Sequence, residues 1–141
     1  MAKNKSITEN IQIILARDED SYVRCCLAEN ESLIENIQII LARDEEPSVR
    51  LALLDNKNLT HEALTTLWNY ESENPDYYVQ LKIIRSIEFN EDYQLEISNG
   101  DEIEVKENFS LNPYIIEEAQ IILANDNNDS IRSKLARNIN L

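Results

Sequence analysis

The residues with chemistry to offer are few. His61 is the chain's single histidine, and Cys25 and Cys26 are its two cysteines. An HExxH or three-histidine zinc site needs more imidazoles than this. Adjacent cysteines make neither a CxxC redox pair nor a four-cysteine metal knuckle. A thiol nucleophile needs a general base, and no spacing sets one beside Cys25 or Cys26. His61 follows Thr60 at a helix start and reads as an exposed residue of the first turn. Gly100 is the one glycine. Phosphate-cradling loops, dinucleotide fingerprints and nucleophile elbows each need several, so all are excluded. The sequence thus predicts no catalytic residue, no cofactor and no metal.

Charged side chains offer a second kind of chemistry. Asp18, Asp44 and Asp126 each stand six residues before an arginine: Arg24, Arg50 and Arg132. A carboxylate and a guanidinium at this spacing can bridge the turn between two short helices. The functional alternative is an arginine row that takes phosphate or carboxylate. Paired charges are more often structural, so the expectation is a structural ladder in which each aspartate meets the arginine that follows it. At two further places both partners are replaced, by Tyr70 with Gln80 and by Gly100 with Lys106.

The third feature is acidic and aromatic. The chain holds 27 acidic against 13 basic residues, a formal charge of −14. Residues 87–111 carry eight carboxylates, Glu102 and Glu104 among them, against Lys106 alone. Trp68, Tyr70, Tyr77 and Tyr78 come just before. Aromatic anchors with charged surroundings are what contact sites use. Trp68, Tyr70, Asp76, Tyr77, Tyr78, Glu102 and Glu104 are therefore the candidate partner-binding residues. A solvated acidic face beside ordinary core aromatics is the plainer alternative. Such a surface repels phosphate backbones and anionic membranes. It speeds encounters with basic partners.

These residues are positioned by a repeat. Residues 9–18 and 35–44 both read ENIQIILARD, at an offset of 26, and residues 117–126 read EEAQIILAND. One apolar column runs through Ile7, Leu33, Leu59, Phe89, Ile115 and Leu141. Others run through Val23, Val49, Val79, Val105 and Ile131, and through Leu27, Leu53, Ile83, Phe109 and Leu135. Asn30, Asn56, Ser86, Asn112 and Asn138 mark the unit ends. Five units result, approximately 7–32, 33–58, 59–88, 89–114 and 115–141, with four extra residues within 71–76. Fixed periods of this length signal stacked supersecondary units, so one helical-repeat domain is expected over residues 1–141.

Each unit reads as helix–turn–helix. Ser6 and Ser32 precede Glu9 and Glu35 by three residues, the spacing of a capping box. Ile11, Ile14 and Leu15 follow at helical spacing. Pro47 and Pro75 fall where a second helix opens, a position that tolerates proline. Cys25 and Cys26 occupy columns filled elsewhere by Leu51, Leu81, Ala52 and Lys82, one core and one partly buried. Unit four is ambiguous. Residues 93–105 alternate and contain Asn99-Gly100, a hairpin signal. Register favours helices, because Tyr93, Leu95 and Ile97 align with Ile37, Ile39 and Leu41, and Gly100 then ends the first helix. The fold class is all-α, with a β-hairpin in part of unit four as the alternative.

The pattern Leu15-Ala16-Arg17-Asp18, then Val23, Arg24, Leu27, Ala28 and Asn30, then Leu59, Thr60, Glu62, Ala63, Leu64 and Leu67, resembles the leucine-rich repeat variant family. The likeness is specific in units one, two and five, partial in three and weak in four. It implies a right-handed solenoid of α-helices and shorter helices, close to HEAT and armadillo arrays, and loosely a binding role. Some members carry an iron–sulfur cysteine cluster ahead of the repeats; this chain has no such segment, and that cofactor is not carried over.

The expected function is a non-enzymatic scaffold that presents an acidic, aromatic surface to a basic protein or peptide. The alternative is an acidic inhibitor or immunity-type protein that blocks a nucleic-acid-binding or nuclease partner by imitating phosphate charge. A HEAT-like base-excision enzyme needs a basic concavity, which a charge of −14 opposes. No apolar run exceeds four residues and no apolar core follows Lys3 and Lys5. With two reduced cysteines, these features suggest a cytoplasmic protein without a secretory signal or membrane contact. Undisguised repeat edges leave end-to-end self-association open.

Overall fold

The computed structural model describes residues 7–86 and 91–138. Ser6, Glu88, Phe89 and Leu141, used in the sequence argument, lie outside them, as does the side chain of Ser86. Ten helices occur among the described residues, and no strand. They are α1 (Glu9–Leu15), α2 (Ser21–Ala28), α3 (Glu35–Leu41), α4 (Pro47–Leu54) and α5 (His61–Glu73), then α6 (Tyr77–Ser86), α7 (Glu91–Asn99), α8 (Ile103–Phe109), α9 (Glu117–Ala124) and α10 (Asp129–Ala136). The chain divides into two compact units, Met1–Gln80 and Leu81–Leu141.

In the first unit α1 packs on α2 and α3 on α4; α2 also packs on α4, and α3 on α5. In the second, α7 packs on α8 and α9 on α10, with α7 also against α9 and α8 against α10. The residues that make these contacts recur every three or four positions. Ile37, Leu41, Val49 and Leu53 are each 1% exposed or less, as are Ala119, Leu123 and Ile131. A fully buried Leu, Ile or Val contributes about 1.5–3 kcal/mol. Helices of seven or eight residues are too short to form alone in water, so this packing is what makes them helical.

Polar side chains complete the helix ends. Asp20 accepts from the Tyr22 N–H, Thr60 from the Ala63 N–H, and Asn128 from the Ser130 and Ile131 N–H groups. Pro47 stands in the first turn of α4, as expected. The capping box at Ser32 does not form. The residue that caps α3 is Ile34, which has no side-chain oxygen. Its N–H is taken instead by the Gln12 Oε1 of the preceding helix pair, at 3.0 Å.

That bond belongs to a set of buried amides. Gln12 Nε2 also donates to the Ile7 and Ser32 carbonyls at 3.1 and 2.9 Å. Gln38, one period on, donates to Leu33 and Asn58 and accepts from the Thr60 N–H at 2.9 Å. In the second unit Gln94 donates to the Tyr114 carbonyl and accepts from the Ile116 N–H at 2.8 Å. The asparagine column does the same at the other end of the helix pair. Asn56 donates to the Ala28 and Asn30 carbonyls and accepts from the Asn58 N–H. Asn112 donates to the Ile84 carbonyl, and Asn138 to those of Ser110 and Asn112.

The β-hairpin alternative is not what the chain forms, since α7 and α8 cover most of residues 93–105. The alternation misleads because Gln94 is polar and yet buried. The buried set of α7 is Gln94, Ile97 and Ser98, which is helical spacing. Gly100 follows α7 with its N–H on the Ile97 carbonyl at 3.2 Å. It does not adopt the left-handed conformation that a glycine helix stop uses.

Replacing Gln38 by leucine removes partners from two carbonyls and one N–H. At about 1–3 kcal/mol for a buried polar group left unpaired, with partial rehydration, Q38L should lower stability by roughly 2–4 kcal/mol. Urea unfolding of Q38L beside the exposed-site control N36A measures it; the control should stay within about 0.5 kcal/mol of the parent.

Candidate functional site

The charged ladder is built from loops and helix starts. Each aspartate closes the turn it sits in. Asp18, Asp44 and Asp126 accept through Oδ1 from the N–H two residues on, at 2.9, 3.0 and 2.9 Å. Each arginine reaches back to that turn with one nitrogen only. Arg24, Arg50 and Arg132 donate Nη1 to the backbone carbonyls of Asp18, Asp44 and Asp126 at 2.7, 2.6 and 2.7 Å. The carboxylate partner is elsewhere. Arg24 donates Nε and Nη2 to Asp44 at 2.7 and 3.0 Å, a two-bond fork across twenty residues. Each aspartate was expected to meet the arginine that follows it; the observed ion pair instead joins consecutive helix pairs. The reason is geometric. Nη1 is held on the carbonyl of the arginine's own turn, which leaves the Nε–Nη2 edge of Arg24 to face the next turn's carboxylate.

The ladder is not lost where Tyr70 replaces aspartate. Arg50 donates Nε to Glu71 Oε1 at 2.5 Å, with both side chains nearly inaccessible. Glu71 Oε2 accepts from the Asp76 N–H. The Tyr70 ring lies 5.1 Å from the Arg50 guanidinium carbon, so this cation also meets an aromatic face. Gln80 Nε2 donates to the Glu71 carbonyl, replacing an arginine's backward bond. In the second unit Lys106 Nζ bonds Asp126 Oδ2 at 2.6 Å. The rung at Tyr70 is thus kept by a glutamate one residue on, whereas Gln80 and Gly100, both uncharged, form no ion pair.

The electrostatic consequences follow. The Asp44 carboxylate holds the Arg24 guanidinium above its ordinary pKa. The Lys106 ammonium, and then the Asn128 N–H, hold the Asp126 carboxyl below its usual value of 3.8. Glu107 is lowered by Ser130 and by Lys134, whose Nζ it accepts at 2.9 Å.

The candidate contact residues fall in different places. Trp68 and Tyr70 are on α5 and half-buried. Asp76 accepts from the Tyr78 and Val79 N–H groups and so starts α6. Tyr77 and Tyr78 open that helix, 56% and 69% exposed, with ring centroids 5.5 Å apart and edges turned to faces. All of these belong to the first unit. Glu102 and Glu104 are exposed in the second, at the start of α8. Sequence reasoning missed an open cleft of about 480 Å³ in the first unit, lined in part by Arg17, Asp18, Ile40 and Arg43. Arg17 and Arg43 sit at equivalent repeat positions, a signal the pattern did contain.

His61 is an exposed first residue of α5, Cys25 is half-buried and Cys26 exposed. Cys26 pushes the neighbouring Tyr22 hydroxyl above its ordinary value. Among the described residues no three histidine, cysteine or carboxylate side chains converge as a metal site. No helix described is long and apolar enough to cross a membrane. Comparison with protein-family models, with curated proteins and with solved structures finds no match to this chain. The leucine-rich repeat variant resemblance thus rests on the motif residues alone.

Two outcomes are expected. E71A leaves the Arg50 cation buried without its partner and should cost about 3–5 kcal/mol in urea unfolding, while R50M/E71M should recover a substantial part of that loss. The Asp126 carboxyl is depressed, so its bond to Lys106 contributes fully above 3.8 and is lost as pH falls through its lower folded-state value. The stability difference between the parent and D126N should therefore shrink in acid. A difference independent of pH between 6 and about 2 would show that the ion pair contributes nothing.

Proposed function

We propose that this protein is a non-enzymatic interaction scaffold that binds a basic protein or peptide through exposed aromatic rings set in an acidic surface. The observation that carries the proposal is the Tyr77–Tyr78 pair. Two large side chains more than half exposed at one helix start do nothing for the core. Tyrosine is among the residue types that dominate binding energy at interfaces. Glu73 is exposed and Asp76 half-exposed in the preceding turn. Glu102 and Glu104 add exposed negative charge in the second unit, and the net −14 favours encounter with cations. Trp68 and Tyr70 are half-buried and offer a partner less surface.

The fold reading that goes with this is a right-handed solenoid of five helix pairs of about 26 residues, the third longer by four, similar to the leucine-rich repeat variant family. Its support is the sequence period and the recurrence of equivalent glutamine, asparagine and cation–carboxylate bonds in both units. A cytoplasmic setting fits the reduced cysteines.

The test is affinity capture from lysate of the native host, followed by kinetics on the recovered partner. Y77S/Y78S should raise the dissociation rate. E102K/E104K should slow association and weaken its salt dependence, because exposed charges are screened beyond about 8 Å at physiological ionic strength. E19K/E45K is the control of equal charge change. If the control slows association as much as E102K/E104K, or Y77S/Y78S binds like the parent, the proposal is overturned. A recovered nuclease whose activity the protein blocks would instead make it an inhibitor that imitates phosphate.

A further inference from the structure

Each arginine of the ladder has two jobs: one nitrogen holds the turn behind it, and the other edge holds the aspartate ahead. Arg24 does both, on the Asp18 carbonyl and the Asp44 carboxylate. At the two ends of the series each job is half done. Asp18 stands one period before Asp44. Its carboxylate accepts the Asp20 N–H, and among the described residues no cation lies within 4.0 Å of it. Arg132 stands where Arg24 does in its own helix pair. It is exposed and donates Nη1 to the Asp126 carbonyl, while its Nε and Nη2 meet no carboxylate among the described residues.

The amide series ends in the same way. Gln120 Nε2 takes the Ile115 carbonyl at 2.8 Å. Its Oε1 meets no backbone N–H among the described residues, whereas the Oε1 of Gln12 takes that of Ile34. Thr8 stands one period before Ile34, and its N–H has no acceptor among the described residues. Apolar surface is left over at the same two places. Ile11 is 43% exposed where Ile37, one period on, is 1% exposed. Ile121 is 56% exposed, and its counterparts Ile13 and Ile39 are half-buried.

We propose that this chain associates head to tail with a second copy, Arg132 of one copy closing on Asp18 of the next. Gln120 then accepts the N–H of the second copy's Thr8, and the α9–α10 pair covers Ile11. A second copy is the occupant because it supplies, in the repeat's own spacing, both a donor that lacks its acceptor and an acceptor that lacks its donor. This contact is heterologous and leaves a free end on each copy, so it grows with concentration. Copies of charge −14 repel one another at long range. Salt screens that repulsion, while the close pair at the contact is screened much less, so association strengthens between low and physiological ionic strength.

Sedimentation velocity on residues 1–141 tests this across concentration and salt. The parent should grow in mass with both. D18R alone and R132D alone should each raise the dissociation constant at least about thirtyfold, the effect of losing one desolvated interface charge pair. Mixed one to one they should associate again, because each carries the charge the other lacks. Circular dichroism checks that both are folded. R132A and I11D form a second pair of variants with smaller demands on the fold, and both should also weaken association. A parent that stays monomeric throughout overturns the proposal, as do single variants that associate like the parent or folded variants whose mixture remains monomeric.

Discussion

An α-helix leaves four N–H groups and four carbonyls at its ends without intrahelical partners. In α1, α3 and α8, with seven residues each, that is most of the backbone. A chain built from such elements survives only if those groups are paired from outside. Here the pairing comes largely from the next helix pair along the sequence. Glutamine amides hold the turn that starts a first helix, asparagine amides the turn that ends a second one, and guanidinium groups the turn between them. Among the described residues no buried side-chain nitrogen or oxygen lacks a hydrogen-bond partner. The apolar columns provide the attraction, and the amides and cations fix which turn lies opposite which.

The ion pairs are subject to a stricter version of the same constraint. A buried guanidinium is tolerable only with its charge matched and its hydrogens placed. Arg50 is 2% exposed and meets the condition with the Glu71 carboxylate, the Asp44 carbonyl and the Tyr70 ring. Here α5 runs on to Glu73, well past the length of α3, so the aspartate's turn no longer exists at that place. A glutamate one residue later reaches out from the helix and performs the same task. Lys106 replaces an arginine more simply, as a point charge on Asp126.

Much of this was legible in the sequence. Helices and core columns follow from apolar spacing, and Pro47 and the 26-residue period place the turns. The choice of ladder partner was not legible. Arg24 lies six residues after Asp18 and twenty before Asp44, and in a period of 26 both relations recur together, so no pattern separates them. The glutamine column was in plain view, yet a buried polar residue looks like an exposed one in a hydropathy pattern. That same ambiguity made residues 93–105 resemble a strand pair. Of the candidate contact residues, Tyr77 and Tyr78 differ from Tyr70 and Trp68 in exposure, which depends on where α6 begins and is not a property of tyrosine itself.

The spans of the bonds between helix pairs have a consequence for how such a gene can lengthen. Those bonds join residues 20 to 28 positions apart, a spread centred near one period. Within the 26-residue units, a tandem duplication of 26 codons therefore regenerates each donor beside its acceptor wherever the breakpoint falls, inside a helix or in a turn. It needs no recombination signal at a unit boundary and no later mutation to repair the junction. A gain or loss of one or two codons within a unit has no such tolerance, because it moves several side chains out of reach of their turns at once. The identity of residues 9–18 and 35–44 is what a copying event of this kind leaves behind before the two copies drift apart.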